Sequence, residues 1–229
     1  MIISHKYRFI FIKTFKTAGT SLEVLLSQYC DSDDIVTPFM GTEYSHRPRN
    51  SCSFFNPFPE LLAPPRSRFQ KTVHDLLRLR RFYNHMPAHL VKHRISRQVW
   101  DSYFKFCIER NPWDKALSHY WFKKDSEKLK SFDDYIQKGY KCFNYPLYTS
   151  PGKVSDILVD KVVKYENLTE DLGEVFQHLN IPWDGALAVR AKGGARKDKR
   201  HYREVLSSTQ ASAIEKCYSH EISLHNYKY

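Results

Sequence analysis

The chain has 229 residues, and its 41% hydrophobic and 27% charged content is typical of a globular protein and excludes a disordered one. This length suits one domain with a sizeable core, so we predict a single domain over residues 1–229. Lysine and arginine outnumber aspartate and glutamate by 36 to 25, which gives a formal net charge of +11. Such a balance fits either an anionic ligand or nucleic acid, and charge alone does not choose between them.

Cysteine usage and hydropathy exclude further classes of protein. The five cysteines include no Cys-x-x-Cys pair, so neither a disulfide framework nor a zinc site is expected. No apolar run approaches the roughly 18 residues of a membrane span, and the N-terminus lacks the apolar core of a signal peptide. We therefore expect a protein without a membrane span in a reducing compartment, the cytoplasm.

The N-terminal part of the chain predicts a strand, a loop and a helix. Tyr7–Ile12 is an apolar run of strand length, and Thr20–Tyr29 carries its leucines on one helical stripe. Residues 31–70 hold six prolines and many aromatic residues. This composition predicts an irregular insertion, which is either a functional loop or lid or a poorly ordered surface excursion.

Helices and strands alternate through the rest of the chain. The predicted elements are helices over Lys71–Arg81 and Pro87–Ile95, a strand over Tyr103–Glu109, helices over Pro112–Lys124 and Ser131–Gln137, an irregular aromatic stretch to Gly152, a strand over Lys161–Lys164, a helix over Thr169–Leu179, a basic loop over Gly193–Arg203 and a helix over Ser208–Leu224. This order predicts a three-layer α/β fold with a central, mainly parallel sheet flanked by helices. Ligands of such sheets bind beyond the carboxyl ends of the strands.

A loop with the features of a phosphate-binding site follows the first strand. Its candidate ligand-binding residues are Lys13, Lys16, Thr17, Ala18, Gly19, Thr20 and Ser21. Backbone N–H groups at a helix N-terminus favour an anion, and lysines and hydroxyls add further donors. In a nucleoside-triphosphate loop the lysine follows the last glycine, whereas here Lys16 precedes Gly19 by three residues. We therefore predict a phosphate-like ligand other than a triphosphate.

A second candidate phosphate site follows the predicted strand Tyr103–Glu109. Arg110 stands at the carboxyl end of that strand, and Ser118 lies eight residues further on, about two helical turns away. A guanidinium and a hydroxyl at such a place can share a phosphate. The alternative is that Arg110 pairs with a carboxylate such as Glu109 or Asp114.

Together the two elements resemble those of sulfotransferases. Residues 16–21 resemble the 5′-phosphosulfate loop of that family, and residues 110–113 with 118–120 resemble its 3′-phosphate element. The match is closest to the carbohydrate type, which includes glycan 2-O-sulfotransferases. It extends through residues 85–88, 104–109, 163–168 and 201–203. Phe15 departs from the family pattern, which commonly has a proline before the loop lysine.

The resemblance implies a P-loop-like fold, a donor and an acceptor. The donor would be 3′-phosphoadenosine 5′-phosphosulfate, and the acceptor a hydroxyl on a carbohydrate or small metabolite. We expect this acceptor to be anionic if it meets the basic helix over Lys71–Arg81. No metal is expected. A trimmed catalytic domain of a Golgi enzyme is the alternative to a cytoplasmic protein.

The resemblance also implies roles for individual residues. Lys16 would neutralise the departing phosphate, and Arg110 with Ser118 would hold the 3′-phosphate. His85 is the predicted catalytic base, with His89 as the alternative, since an imidazole suits proton transfer near neutral pH. Further candidates for the base are His93, Glu109 and His119.

A basic run near the end of the chain is predicted to close over the nucleotide. Its predicted contacts are Lys197, Lys199 and Arg203, within a charge run that also holds Arg196 and Arg200. Gly193 and Gly194 are its predicted hinge. Two other functions stay open at this point: a P-loop-like kinase for nucleosides or small molecules, and a basic nucleic-acid-binding module.

Overall fold

Two sheets are present in the computed structural model, which describes residues 1–39, 46–62, 69–187 and 196–229. Their strands are β1 (Ile2–Ser4), β2 (Phe9–Ile12), β3 (Ile35–Val36), β4 (Phe104–Glu109), β5 (Thr149–Ser150), β6 (Lys153–Ile157) and β7 (Lys161–Lys164). The central sheet has the order β3-β1-β2-β4-β7, and β5 pairs with β6 in a separate hairpin.

Helices surround the central sheet. They are α1 (Gly19–Gln28), α2 (Phe58–Leu62), α3 (Phe69–Leu77), α4 (Ala88–Arg94), α5 (Arg97–Ser102), α6 (Pro112–Lys124), α7 (Phe132–Gln137), α8 (Tyr145–Tyr148), α9 (Leu168–His178), α10 (Tyr202–Val205), α11 (Ser208–Cys217) and α12 (Ser219–His225). Within the described residues, no helix is long and apolar enough to cross a membrane.

The strand directions confirm the predicted α/β class. β4 runs parallel to β2 and to β7, while β1 is antiparallel to β2 and β3. Four of the five strands of the central sheet therefore share one direction. Their carboxyl ends meet at one edge, where β2 leads into residues 13–18 and β4 leads into Arg110.

Side chains of the central strands alternate between two apolar cores, as expected for a sheet that is covered on both faces. Ile10, Ile12 and Cys107 join a core with residues of α4 and α5. Phe9, Phe11 and Phe106 join the other core with residues of α1 and α9. A third cluster packs α6 against α7, α10 and α11 around Trp113. This cluster fixes the position of α6 beside the sheet edge.

Several predicted elements have the predicted bounds or nearly so. The helix over Pro112–Lys124 and the strand over Lys161–Lys164 begin and end where predicted. Local chemistry explains the first of these, because the Asn111 side chain accepts the N–H groups of Trp113 and Asp114 and Pro112 opens the helix.

Other predictions were wrong. Strand β1 was not predicted, and the stretch before Gly152 contains α8 and β5, which pairs with β6 just beyond Gly152. The predicted helix over Lys71–Arg81 ends at Leu77, since Leu79 has a left-handed backbone. The predicted helix over Ser208–Leu224 is interrupted at Tyr218, whose buried hydroxyl accepts the N–H of Cys142.

The predicted insertion over residues 31–70 is partly regular and partly outside the described residues. It contains β3, α2 and the start of α3, while residues 40–45 and 63–68 are not described. Among the basic residues after α3, Arg80 pairs with Asp75 and Arg81 donates to the carbonyl of Arg94. These two cations therefore brace the fold locally.

Candidate active site

The loop between β2 and α1 combines a strained backbone with a helix start. Lys16 and Ala18 have φ angles of 60° and 58°, in the left-handed region that residues other than glycine seldom adopt. Ala18 is the N-cap residue of α1 and has no side chain that can bond the first-turn N–H groups. N–H groups at such a helix N-terminus favour an anion.

Hydrogen bonds of threonine hydroxyls hold this loop to strand β4. The Thr14 hydroxyl donates to the carbonyl of Ile108 in β4 and lies 2.8 Å from the Thr17 hydroxyl. Thr17 is buried, and its hydroxyl also contacts the Thr14 carbonyl at 3.3 Å. Thr20 is half-buried and Ser21 is buried at the start of α1. The side chain of Thr17 therefore supports the loop from within rather than pointing into solvent.

Lys13 lies beneath the loop. Its Nζ forms an ion pair with Glu23 of α1, and both side chains are buried. Gly19 packs directly on the Lys13 stem, because a Cβ at Gly19 would lie 2.9 Å from Lys13 Cγ. The Lys13 ammonium, predicted as a ligand contact, is thus engaged by a carboxylate inside the protein. Because both groups are buried, loss of either one would leave an uncompensated charge inside the protein.

His85 contacts the same loop from the chain segment before α4. Its Nδ1 lies 3.1 Å from the carbonyl oxygen of Lys13, and its ring stacks on Phe15 with a centroid distance of 4.0 Å. A carbonyl only accepts hydrogen bonds, so Nδ1 carries the proton. In the neutral imidazole the lone pair then lies on Nε2, which is the state that a general base requires.

Arg110 joins the two predicted phosphate elements. Its Nη1 donates to the carbonyl oxygen of Lys16 at 2.9 Å, and its Nε and Nη2 donate to Asp114 Oδ2 at 2.9 and 2.6 Å. The guanidinium also lies 4.2 Å from the centre of the Tyr165 ring. The carboxylate pairing considered for Arg110 is therefore present, and it places the guanidinium against the Lys16 loop.

One face of α6 lines the region between Arg110 and Lys16. Asp114, Ser118 and Phe122 are spaced four residues apart, so they lie on the same side of the helix. Asp114 contacts Arg110, and the Phe122 ring lies 4.5 Å from Lys16 Nζ. Ser118 is half-buried and stands midway between these two contacts. The structure thus brings Lys16 and Arg110 into contact, and Ser118 lies on the helix face between the residues that contact them.

The basic segment near the end of the chain is anchored to α6 by Arg196. Its Nη1 lies 2.6 Å from Asp114 Oδ1, and its other nitrogens donate to the carbonyls of Asp198 and Arg200. Although burial favours the protonated carboxyl, the guanidiniums of Arg110 and Arg196 hold the pKa of Asp114 below its usual value. Sequence reasoning placed Arg196 in a charge run but did not identify it as the anchor.

The predicted contacts in this segment are exposed. Lys197, Lys199 and Arg203 have their side chains at the surface, and the predicted hinge at Gly193 and Gly194 lies outside the described residues.

The other candidates for the base are placed in packed surroundings. Glu109 is fully buried and accepts from Lys115 and Tyr148. His119 lies 3.0 Å from the Tyr135 hydroxyl, and burial, with the charges of Lys16 and Lys123, lowers its pKa to about 4. His89 and His93 are on α4, where His89 is buried among core residues.

A buried charge network lies under the loop. Lys115 Nζ is 2.8 Å from Glu109 and 2.6 Å from Glu221, and all three side chains are fully buried. Burial acts against the charged form of Glu109, but Lys115 outweighs it and holds the pKa of Glu109 below its usual value. Burial and the charge of Glu109 raise the pKa of Glu221. One ammonium therefore serves two carboxylates.

Comparisons with known proteins give one family relationship. No protein-family profile matches the chain. A protein of Archaeoglobus fulgidus, described as an uncharacterized protein, is 34% identical over 125 residues, which cover 53% of this chain and all of that protein. The chain belongs to the same family as this archaeal protein.

A solved structure gives a weaker likeness. The crystal structure of a sulfotransferase from Alicyclobacillus acidocaldarius covers 97% of this chain and 96% of its own, with 18% identity and a TM-score of 0.40. This score is too low to carry the fold assignment, which follows here from the strand order and directions.

Gly19→Ala is expected to lower the free energy of unfolding by about 1–3 kcal/mol, because the new Cβ displaces the Lys13 stem from its place beside Glu23. Gly173→Ala in α9 is the matched control, since its Cβ would meet only Trp183, at 3.8 Å. That control should gain up to about 1 kcal/mol from helix propensity. Urea unfolding of both variants measures the difference, and an unchanged or stabilised Gly19→Ala variant would contradict the packing described for Lys13.

Lys115→Met is expected to cost about 3–5 kcal/mol near neutral pH, because it leaves two buried carboxylates without their cation. The loss should shrink as the pH falls toward about 5. Without Lys115 the folded-state pKa values of Glu109 and Glu221 rise above those of the unfolded chain. Protonation then favours the folded state as the pH falls.

Lys123→Met is the control for this variant, since Lys123 is on the same helix as Lys115 but forms a partly exposed pair, with Glu127. It should cost less than about 1 kcal/mol at any pH. Denaturant unfolding over a pH series measures both. Equal losses in the two variants, or a Lys115→Met loss that does not change with pH, would count against the buried network.

Proposed function

We propose that the protein is a sulfotransferase that moves a sulfuryl group from 3′-phosphoadenosine 5′-phosphosulfate to an acceptor hydroxyl on a carbohydrate or small metabolite. The observation that carries this proposal is the 2.9 Å hydrogen bond from Arg110 to the Lys16 carbonyl. It joins the two predicted phosphate elements, which follow the neighbouring strands β2 and β4. A nucleotide with phosphates at both its 5′ and 3′ positions suits such a pair of elements.

The donor set of this site suits phosphate and sulfate groups. The N-terminus of α1 would bind the 5′-phosphate through backbone N–H groups of residues 17–21, with the hydroxyls of Thr20 and Ser21 as further predicted contacts. Arg110 and Ser118 would hold the 3′-phosphate, and Arg196 brings the exposed Lys197 and Lys199 to the same end of α6. Charge-assisted bonds of this kind are the stronger class of hydrogen bond in proteins.

The donor supplies an activated sulfuryl group, and the chain supplies position, charge and a base. His85 Nε2 would take the proton of the acceptor hydroxyl as the new oxygen–sulfur bond forms. The bond between sulfur and the bridging phosphate oxygen breaks at the same time, and Lys16 would neutralise the negative charge left on that phosphate. The Lys13 carbonyl orients the imidazole for this role through its bond to Nδ1.

A thermal-shift comparison tests the ligand. Adenosine 3′,5′-bisphosphate at a hundredfold excess over its Kd should stabilise the protein by about 2.7 kcal/mol. ATP with magnesium and single-stranded DNA should give much smaller shifts. Selective stabilisation by ATP with magnesium would favour a kinase, and selective stabilisation by DNA would favour a nucleic-acid-binding protein.

Lys16→Met should reduce the rate of sulfuryl transfer on the order of 10²–10³-fold, since it removes the charge at the departing phosphate but keeps an unbranched side chain of similar length. Lys6→Met is the matched control. Lys6 is an exposed lysine in the turn between β1 and β2, at the opposite end of β2 from the loop. Transfer is measured with labelled donor, and equal rates in the two variants would rule out this role for Lys16.

His85→Asn should lower kcat by about 10²–10⁴-fold while leaving the affinity for adenosine 3′,5′-bisphosphate nearly unchanged. Asparagine tolerates the left-handed backbone that His85 adopts, at φ 55°, and its amide can still donate to the Lys13 carbonyl. The variant therefore removes the base and keeps the fold. Near-normal kcat would show that another group accepts the proton, with His89 the next candidate.

A further inference from the structure

Asn144 forms two hydrogen bonds with the backbone of one loop residue. The Phe15 N–H donates to Asn144 Oδ1 at 2.8 Å, and Asn144 Nδ2 donates to the Phe15 carbonyl at 3.1 Å. The two residues are 129 positions apart in the chain, and Asn144 is fully buried. A single primary amide thus satisfies both backbone polar groups of Phe15.

The surroundings of Asn144 fix the orientation of its amide. Its Nδ2 also donates to Glu109 Oε1 at 3.0 Å, and its backbone N–H donates to Glu221 Oε1 at 2.5 Å. The Glu109 carboxylate and the Phe15 carbonyl only accept hydrogen bonds, so the reversed amide would face two acceptors with an oxygen. The charge network around Lys115 therefore sets which way Asn144 presents its donor and acceptor.

Phe15 lies between the two residues that we assign to the chemistry. It directly precedes Lys16, whose left-handed backbone costs about 1–2 kcal/mol and needs support from its surroundings. The Phe15 ring stacks on His85 at a centroid distance of 4.0 Å. Phe15 is therefore in direct contact with both residues, with Lys16 through the chain and with His85 through its ring.

We propose that Asn144 is a positioning residue that aligns Lys16 with His85 by holding the Phe15 backbone. This inference rests on the proposed function for the roles of Lys16 and His85, but the hydrogen bonds themselves do not. Asn144 acts only through Phe15. A misplacement of about 1 Å at a reacting group can cost on the order of 10²-fold in rate, which sets the size of the effect.

The test compares Asn144→Ala with Tyr148→Phe. The two variants each remove one hydrogen bond to Glu109, because the Tyr148 hydroxyl donates to Glu109 Oε2 at 2.8 Å. Only Asn144→Ala also removes the bonds to Phe15. Asn144→Leu fills the space of the side chain without its amide and keeps the experiment informative if Asn144→Ala does not fold.

Hydrogen exchange of the Phe15 amide gives a readout that needs no activity. We expect the exchange to be at least about tenfold faster in the Asn144 variant than in the wild type or Tyr148→Phe, since the amide loses its acceptor. Exchange as slow as in the wild type would overturn the proposal. If the wild type neither binds adenosine 3′,5′-bisphosphate nor transfers sulfate, the proposed function fails, and this comparison still decides whether Asn144 holds the loop.

Measurements of kcat then distinguish a positioning role of Asn144 from a purely structural one. In folded protein, Asn144→Ala should lower kcat by about 10²-fold, and Tyr148→Phe by less than about threefold. In the His85→Asn background, the Asn144→Ala penalty should shrink to a few-fold, because the base that it helps to align is already absent. Equal penalties in both backgrounds, or equal kcat losses in the Asn144 and Tyr148 variants, would show that Asn144 is only structural.

Discussion

The hydrogen bond between the Arg110 guanidinium and the Lys16 carbonyl is the contact on which the site depends. Lys16 adopts a left-handed backbone that is unfavourable for a lysine, so the loop needs partners outside itself to keep this shape. Arg110 supplies one because it lies where β4 ends, next to the end of the parallel strand β2. The direction of the strands thus brings the two elements to the same edge and lets one bond join them.

Three buried charged side chains lie next to this edge of the sheet. Glu109, Lys115 and Glu221 are fully buried, and burying the charge of any one of them without its partners would cost folding free energy. Asn144 links this group to Phe15, and Asp114 links Arg110 to Arg196. The loop, α6 and the last helix are therefore parts of one polar network. The Asn144 amide alone separates the buried charges from the backbone of the loop.

The fold class was predictable because strands and helices alternate along the sequence and their patterns are local. Pro112–Lys124 is delimited by an asparagine cap and a proline, which act on adjacent backbone groups. Strand β1 was not predictable in this way, since three residues become a strand only by pairing with β2 and β3. Likewise, the sequence around Tyr218 did not predict the helix break there, where the Tyr218 hydroxyl accepts the N–H of Cys142, far away in the chain.

The sequence by itself determined the loop type, the unusual place of Lys16 before Gly19, and the spacing of Arg110 and Ser118, because these are properties of consecutive residues. Only the tertiary structure decided that Lys13 pairs with Glu23, that Asp114 is shared by Arg110 and Arg196, and that Asn144 holds Phe15. The physical reason is the cost of burying polar groups without partners. A buried polar group is therefore paired with a partner that the fold brings near it, and the distance between the two residues along the sequence does not predict that partner.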